Sequence, residues 1–212
     1  VFLNRKKMKL ISLVLMVAFL WSCSQKTSSE TKVGILPYAD FPEAKTDTIA
    51  KIVHEFYGVE TIILPNRKHD VSTFTNLKSP RYRADKIIKL QKEELPDSLD
   101  YIIGLTEKDI STTKKENGKV KEPAYKYDDW GIMGLAYCPG KSCVVSTFRI
   151  QHKNKAVHFS RLKKVTVHEF GHNLGLPHCP DKKCVMTDAV ESVATIDHAQ
   201  LSLCQSCQNK LK

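Results

Sequence analysis

Histidines stand at positions 168, 172 and 178, with a glycine at 175, and this spacing constrains the fold more than any other feature of the chain. Positions four apart on a helix project from one face, one above the other. His168 and His172 can therefore grip one cation if this segment is helical. Glycine adopts the left-handed conformation that ends a helix, so Gly175 allows a sharp turn. Pro177 bars simple continuation of the helix. The chain must end its helix near Gly175 and fold back, which brings His178 to the same cation. Any fold for this chain has to contain that helix, that turn and that return.

The segment His168-Glu169-Phe170-Gly171-His172 is H-E-x-x-H. Glu169 lies about a quarter turn from His168, within reach of a water beside the cation. Val167, Phe170 and Leu174 fall on the opposite side, so one stripe of the helix is buried while the histidine stripe faces a cleft. Three neutral imidazoles suit zinc and leave one coordination position open. With Glu169 as general base and acid, the expected chemistry is hydrolysis of a peptide bond. The extended form H-E-x-x-H-x-x-G-x-x-H is similar to the metzincin pattern.

Four cysteines follow. Cys179 and Cys184 form one close pair, and Cys204 and Cys207 form a C-x-x-C pair. Two such pairs match a closed, structural zinc site with four thiolate ligands. Two disulfides are the alternative for an exported protein. Cys179 adjoins the ligand His178, and Cys184 precedes Met186 by two. A zinc ion held there would fix the third histidine and the Met186 turn.

At this point the sequence resembles the archaemetzincin family. Its pattern is H-E-x-x-H-x-x-G-x-x-H-C-x-x-x-x-C-x-M, a spacer of seventeen residues, then C-x-x-C. Every fixed position is met between His168 and Cys207, and Thr187 to Leu203 is seventeen residues. The upstream half, including Gly134 and the segment 144–149, is only loosely similar. The resemblance implies an α+β, metzincin-like compact domain with a twisted mixed sheet, an active-site helix, a Met-turn at Met186 and a C-terminal helix. It also implies two zinc ions, one catalytic and one structural, and peptidase activity on a peptide or protein substrate.

The chain begins with a basic stretch, Arg5, Lys6, Lys7 and Lys9, followed by apolar residues 10–20 broken only by Ser12. Eleven residues are too few for a helix across a bilayer core, which needs roughly 20. A basic start and a short apolar core make a secretory signal. Met8 is a plausible start. Leu20-Trp21-Ser22-Cys23 resembles a bacterial lipobox, in which Cys23 would receive the lipid, although Trp21 is unusual there. An uncleaved anchor is the alternative. The expected organisation is residues 1–22 as a lipoprotein-type signal peptide, 23–31 as a flexible tether and 32–212 as the zinc peptidase domain. The domain would sit exported, lipid-anchored at the bacterial cell envelope.

Of the formal net charge of +10, the four basic residues at the start supply four, leaving +6 for the rest. No aromatic-plus-basic motif accompanies that charge, so no nucleic-acid partner is expected. Two other roles compete with catalysis: a non-catalytic zinc-stabilised binding module at the membrane surface, and a basic surface for acidic polymers or lipid headgroups. Glu169 argues against the first, because a structural zinc site has no use for it. No pattern sets an oligomeric state.

Upstream, residues 32–36, 59–64 and 100–105 read as strands, and 41–57 and 83–95 as helices with apolar faces. Residues 106–124 are polar and lysine-rich, hence an exposed loop. Residues 130–137 and 144–150 read as two strands joined around Pro139-Gly140. The second could line the cleft and pair with substrate. The active-site helix is expected over 161–174, capped by Ser160. Cys138 and Cys143 flank the expected hairpin and could form a disulfide there, free thiols or a role as zinc ligands being the alternatives. His54, His69, His152, His158 and His198 lack ligand spacing.

Overall fold

The computed structural model describes residues 30–188 and 192–211. Cys23, the signal and most of the tether lie outside the described residues. In chain order the elements are β1 (Lys32–Pro37), α1 (Glu43–Tyr57), β2 (Glu60–Ile63), β3 (Phe74–Thr75), β4 (Arg81–Arg83), α2 (Ala84–Glu93), β5 (Tyr101–Thr106) and β6 (Ile110–Thr112). Then come β7 (Lys115–Glu116), β8 (Lys119–Val120), α3 (Ala124–Tyr127), β9 (Trp130–Ile132), β10 (Gly134–Ala136), β11 (Ser142–Ser146), α4 (Lys155–Asn173), α5 (Val193–His198) and α6 (Gln205–Lys210).

The main sheet has the order β10-β11-β5-β1-β2. β2, β1, β5 and β11 are parallel, and β10 runs antiparallel at one edge. Parallel strands need both faces covered, and the side-chain alternation shows how that is met. Val33, Ile35, Ile103, Leu105, Cys143 and Val145 point to one face, where α1 and α4 pack through Ile49, Val53, Leu162 and Phe170. Leu36, Ile102 and Val144 point to the other, under Ile87 and Ile88 of α2. A second sheet, β3-β4-β6-β9, lies to one side. The architecture is the expected α+β with mixed sheets.

Local chemistry sets the element ends. Pro42 holds an extended conformation and starts α1 two residues later than the apolar pattern suggests, and Gly58 closes it at φ 67°. The active-site helix α4 begins well before the expected Ser160. Asn154 caps it, its side chain accepting a hydrogen bond from the Ala156 N–H at 2.8 Å, so Ser160 lies within the helix.

Two expectations for the middle of the chain are corrected. Residues 106–124 are not all exposed loop: Ile110 and Ser111 are buried in β6, which pairs with both β4 and β9. A three-residue strand is too short to announce itself by periodicity. Residues 130–137 are not one strand but two. β9 pairs with β6 in the second sheet and β10 with β11 in the first. The chain changes sheets at Met133, whose carbonyl accepts the Ser146 N–H at 2.8 Å.

The edge strand is therefore β10. β11 lies inside the sheet between β10 and β5, and residues 148–150 form a 3-10 turn. An internal strand has no free edge for a peptide, so segment 144–150 is not the pairing strand. The Cys138–Cys143 hairpin crosslink also gives way. Cys143 stands opposite Ala136 and is fully buried under the sheet, while Cys138 lies beyond the end of β10 and is exposed; both are free thiols.

Candidate active site

His168 and His172 stand one turn apart on α4, with ring centroids 4.6 Å apart. α4 stops at Asn173, and Gly175 takes φ +90°. The Gly175 N–H donates to His172 O and the Leu176 N–H to Gly171 O, each at 2.9 Å. This turn swings His178 back until its ring is 5.3 Å from His168 and 4.8 Å from His172. One nitrogen from each histidine lies within 4.8 Å of the others.

The hydrogen bonds identify which nitrogens face inward. His168 Nδ1 lies 2.8 Å from Val185 O, and His172 Nδ1 lies 2.7 Å from Leu176 O. A carbonyl only accepts, so both Nδ1 atoms carry the proton. In a neutral ring Nε2 is then a bare lone pair. The two Nε2 atoms face each other at 3.0 Å. Two lone pairs cannot bond to one another, and burial holds both rings below the usual histidine range, His168 down to about 4. A shared cation satisfies both. Zinc–nitrogen bonds of about 2.0–2.1 Å in a tetrahedron put ligand nitrogens roughly 3.3 Å apart, so the residues fit zinc.

Glu169 is buried beside this triad, and burial alone pushes its carboxyl up to about 8. A nearby cation acts in the opposite direction and favours the carboxylate. Gly134 of β10 makes room for it: a Cβ there would come within 2.5 Å of Glu169 Oε1. Met186 is fully buried beneath α4, where a Cβ at Gly171 would meet its Sδ at 2.6 Å. Tyr57 supports the same helix by donating to Val167 O at 2.7 Å.

The four cysteine sulfurs also converge, all within 4.8 Å of one another. Cys179 Sγ and Cys204 Sγ are 3.6 Å apart, and Cys184 Sγ and Cys207 Sγ 3.8 Å. A disulfide bond is about 2.05 Å. Four sulfurs about 2.3 Å from one central ion stand roughly 3.8 Å apart. The spacing fits a tetrathiolate zinc and not two disulfides. The Cys204 thiol is held below its ordinary range, first by the Cys207 N–H that points at it. The Cys204 N–H in turn donates to Cys184 Sγ at 3.4 Å.

The two clusters share backbone. The Cys179 N–H donates to Met186 O at 2.8 Å, and Val185, whose carbonyl orients His168, lies between Cys184 and Met186. In front of the histidines opens a cavity of about 450 Å³, bounded by Gly134 and Ala136 of β10, Trp130, Val185 and Ile196.

All the residues expected at the two centres are thus brought together. Four contributors were missed by sequence reasoning: the carbonyls of Val185 and Leu176, the clearance at Gly134, and the seat for Met186 at Gly171. Only Gly171 left a trace, as a glycine inside a helix, where it costs about 1 kcal/mol relative to alanine.

A family model described as Peptidase family M54 matches residues 60–212. The chain is similar to the Archaemetzincin of Haloquadratum walsbyi, 30% identical over 188 residues that cover 84% of this chain and 98% of the relative. The Archaemetzincin of Halobacterium salinarum is 27% identical over 186 residues, covering 84% and 97%. Among solved structures, archaemetzincin from Methanopyrus kandleri superposes with a TM-score of 0.70 at 24% identity, covering 88% of this chain and 96% of its own. Archaemetzincin from Archaeoglobus fulgidus, complexed with malonate, gives 0.68 at 25% identity, covering 85% and 99%.

Proposed function

Because the chain belongs to peptidase family M54 and is accordingly a zinc metallopeptidase, we propose that His168, His172 and His178 hold its catalytic zinc and that Glu169 moves the proton. The observation that carries this reading is the pair of bare Nε2 atoms facing each other at 3.0 Å, with both Nδ1 protons committed to carbonyls. When bound, zinc supplies Lewis-acid polarisation of the scissile carbonyl and a water acidic enough to lose a proton near neutral pH. Glu169 accepts that proton and returns it to the leaving amine nitrogen. Its burial between α4 and β10 keeps bulk water from competing for the transfer. An extended peptide adds to the open edge of β10 through backbone hydrogen bonds.

Cys179, Cys184, Cys204 and Cys207 hold a second, structural zinc, supported by their sulfur spacing. Cys23 carries a lipid, and the tether behind it keeps the domain at the bacterial cell envelope. The support for this is the basic, apolar and lipobox-like order of residues 5–23.

Glu169→Gln tests the catalytic reading. It removes the proton acceptor and keeps the shape, so peptide turnover is expected to fall by about 10³-fold while zinc per molecule stays the same. Equal turnover by the two proteins would overturn it. For the anchor, expression with a radiolabelled fatty acid is expected to label the wild type and not Cys23→Ser. Label in neither means that Cys23 is not lipidated.

A further inference from the structure

We infer that Asn173 is a positioning residue for the peptide substrate: its side-chain amide clamps the β10–β11 hairpin to the catalytic helix and so fixes the edge with which the substrate pairs. This role rests on the reading above that an extended peptide adds to the open edge of β10.

The backbone of β10 shows which groups a peptide can reach. The Ser146 N–H donates to Met133 O at 2.8 Å, and the Tyr137 N–H donates to Ser142 O at 3.3 Å. In an antiparallel pair, residues bonded to the partner strand alternate with residues whose N–H and C=O groups point away from it. Met133 and Tyr137 bond inward, so Gly134 and Ala136 turn their backbone groups to the open edge. Both border the cavity that His168, His172 and His178 also line. A peptide bonded to these two residues lies across the mouth of the histidine site.

Gly134 and Ala136 stand between two contacts with α4. On one side Gly134 abuts Glu169, where a Cβ would come within 2.5 Å of Oε1. On the other, Asn173 reaches the hairpin one residue beyond Ala136. Its Nδ2 donates to Tyr137 O and to Ser142 O, each at 2.9 Å. A carbonyl only accepts, so both amide protons are committed and the orientation of the amide is fixed. The Gly140 N–H donates in return to Asn173 O at 3.1 Å. Asn173 is fully buried and directly follows His172, so the backbone that carries a histidine of the triad carries the clamp as well.

The amide acts through its donors. Asn173 Oδ1 is buried without a partner among the described residues, and an orphaned acceptor costs stability. The two donated bonds hold the turn of the hairpin against the end of α4. Misplacing a bound substrate by about 1 Å costs on the order of 10²-fold in rate, so a loose β10 edge is felt at the reacting bond. A clamp of this kind matters in proportion to how much of β10 a substrate uses. A residue that only stabilised the fold or the metal would affect every substrate alike.

The experiment compares zinc-loaded full-length wild type with Asn173→Ala. Acetylated and amidated peptides of four, six and eight residues are built outward from one bond that the wild type cuts in reduced casein. In the wild type, kcat/KM is expected to rise about tenfold from the shortest to the longest peptide, through KM, as pairs form at Gly134 and Ala136. In Asn173→Ala the rise is expected to shrink below about twofold, with the shortest peptide slowed about threefold and zinc per molecule at the wild-type value. Asn173→Ser keeps one donor and retains part of the rise; it takes the place of Asn173→Ala if that variant does not fold. A loss by the same factor at every length, or a loss of zinc, makes Asn173 a structural residue only and overturns the inference. A flat length series in the wild type means that peptides do not pair with β10, and the reading beneath the inference falls with it. If casein is not cut at all, the catalytic reading has failed by itself. Anisotropy of a fluorescein-labelled casein octapeptide then decides the clamp: binding about fivefold weaker in Asn173→Ala sustains it, and equal affinity sinks it.

Discussion

The histidine cluster and the cysteine cluster are joined by a single peptide bond, between His178 and Cys179, yet they are built to opposite specifications. The histidine site offers three nitrogens and opens onto a 450 Å³ cavity, and the His178 side chain is 43% exposed. The cysteine site offers four sulfurs, with Cys184 and Cys207 each 2% exposed. An open coordination position is what a reacting group needs, and a closed shell is what a brace needs. The two are also unequal in support. The histidines borrow orientation from Val185 O and Leu176 O, whereas the cysteines lean on each other and on their own N–H groups. The closed site frames the open one.

The largest effect should follow from breaking the frame. Cys207 is far along the chain from the histidines and touches none of their hydrogen bonds. Cys207→Ser is expected to lose the sulfur-bound zinc, whose binding is worth on the order of 10 kcal/mol, and to lower the melting temperature steeply. Catalysis should fall with it, because Val185 and Met186 are no longer pinned. Metal analysis and turnover on the same sample check this. Full activity with one zinc fewer would mean that the histidine site stands alone.

The two clusters also differ in how they could be read from the chain. Both ligand sets follow from spacing, since His168, His172, Gly175 and His178, like the two cysteine pairs, are local patterns set by helix and turn geometry. The order of strands and helices gave an α/β or α+β layered domain, and the metzincin-like form with its Met-turn at Met186 came only through family resemblance. What spacing could not supply was anything contributed from across the fold. Gly134 lies 35 residues before Glu169, and its importance exists only once β10 and α4 are packed. The division of residues 130–137 between two sheets depends on partners, β6 and β11, that no window around Met133 contains. The early start of α4 was missed because Ser160 is as good a cap by type as Asn154.

A medium effect separates geometry from ligation within the open site. Gly134→Val places a side chain where Glu169 now sits, on an edge strand that tolerates local adjustment. Turnover is expected to fall by about 10²-fold as the carboxylate is displaced. Zinc content should stay at the wild-type value, since no ligand is touched. Unchanged turnover would show that Glu169 finds its place without this clearance.

The smallest effect concerns a histidine outside either centre and shows what the metal clusters avoid. His69 is stacked between Tyr38 and Tyr82 at 4.6 and 4.1 Å, with Nε2 bonded to Thr106 Oγ1 at 2.8 Å and Nδ1 buried without a partner among the described residues. Burial, with help from Lys108 and Arg67, pushes its pKa down to about 4. An unfolded histidine titrates near 6.5. Between those values the unfolded chain binds the extra proton, so stability falls as pH drops from about 6.5 to about 4 and levels off below. Allowing for partial exposure, the loss is about 2 kcal/mol. His69 binds no metal, so this loss should be the same in zinc-loaded and zinc-stripped protein, and His69→Phe should remove it from both. Urea midpoints across that pH range measure it. A slope that vanished on stripping zinc would tie His69 to the metal centres and undo the separation drawn between them and the rest of the fold.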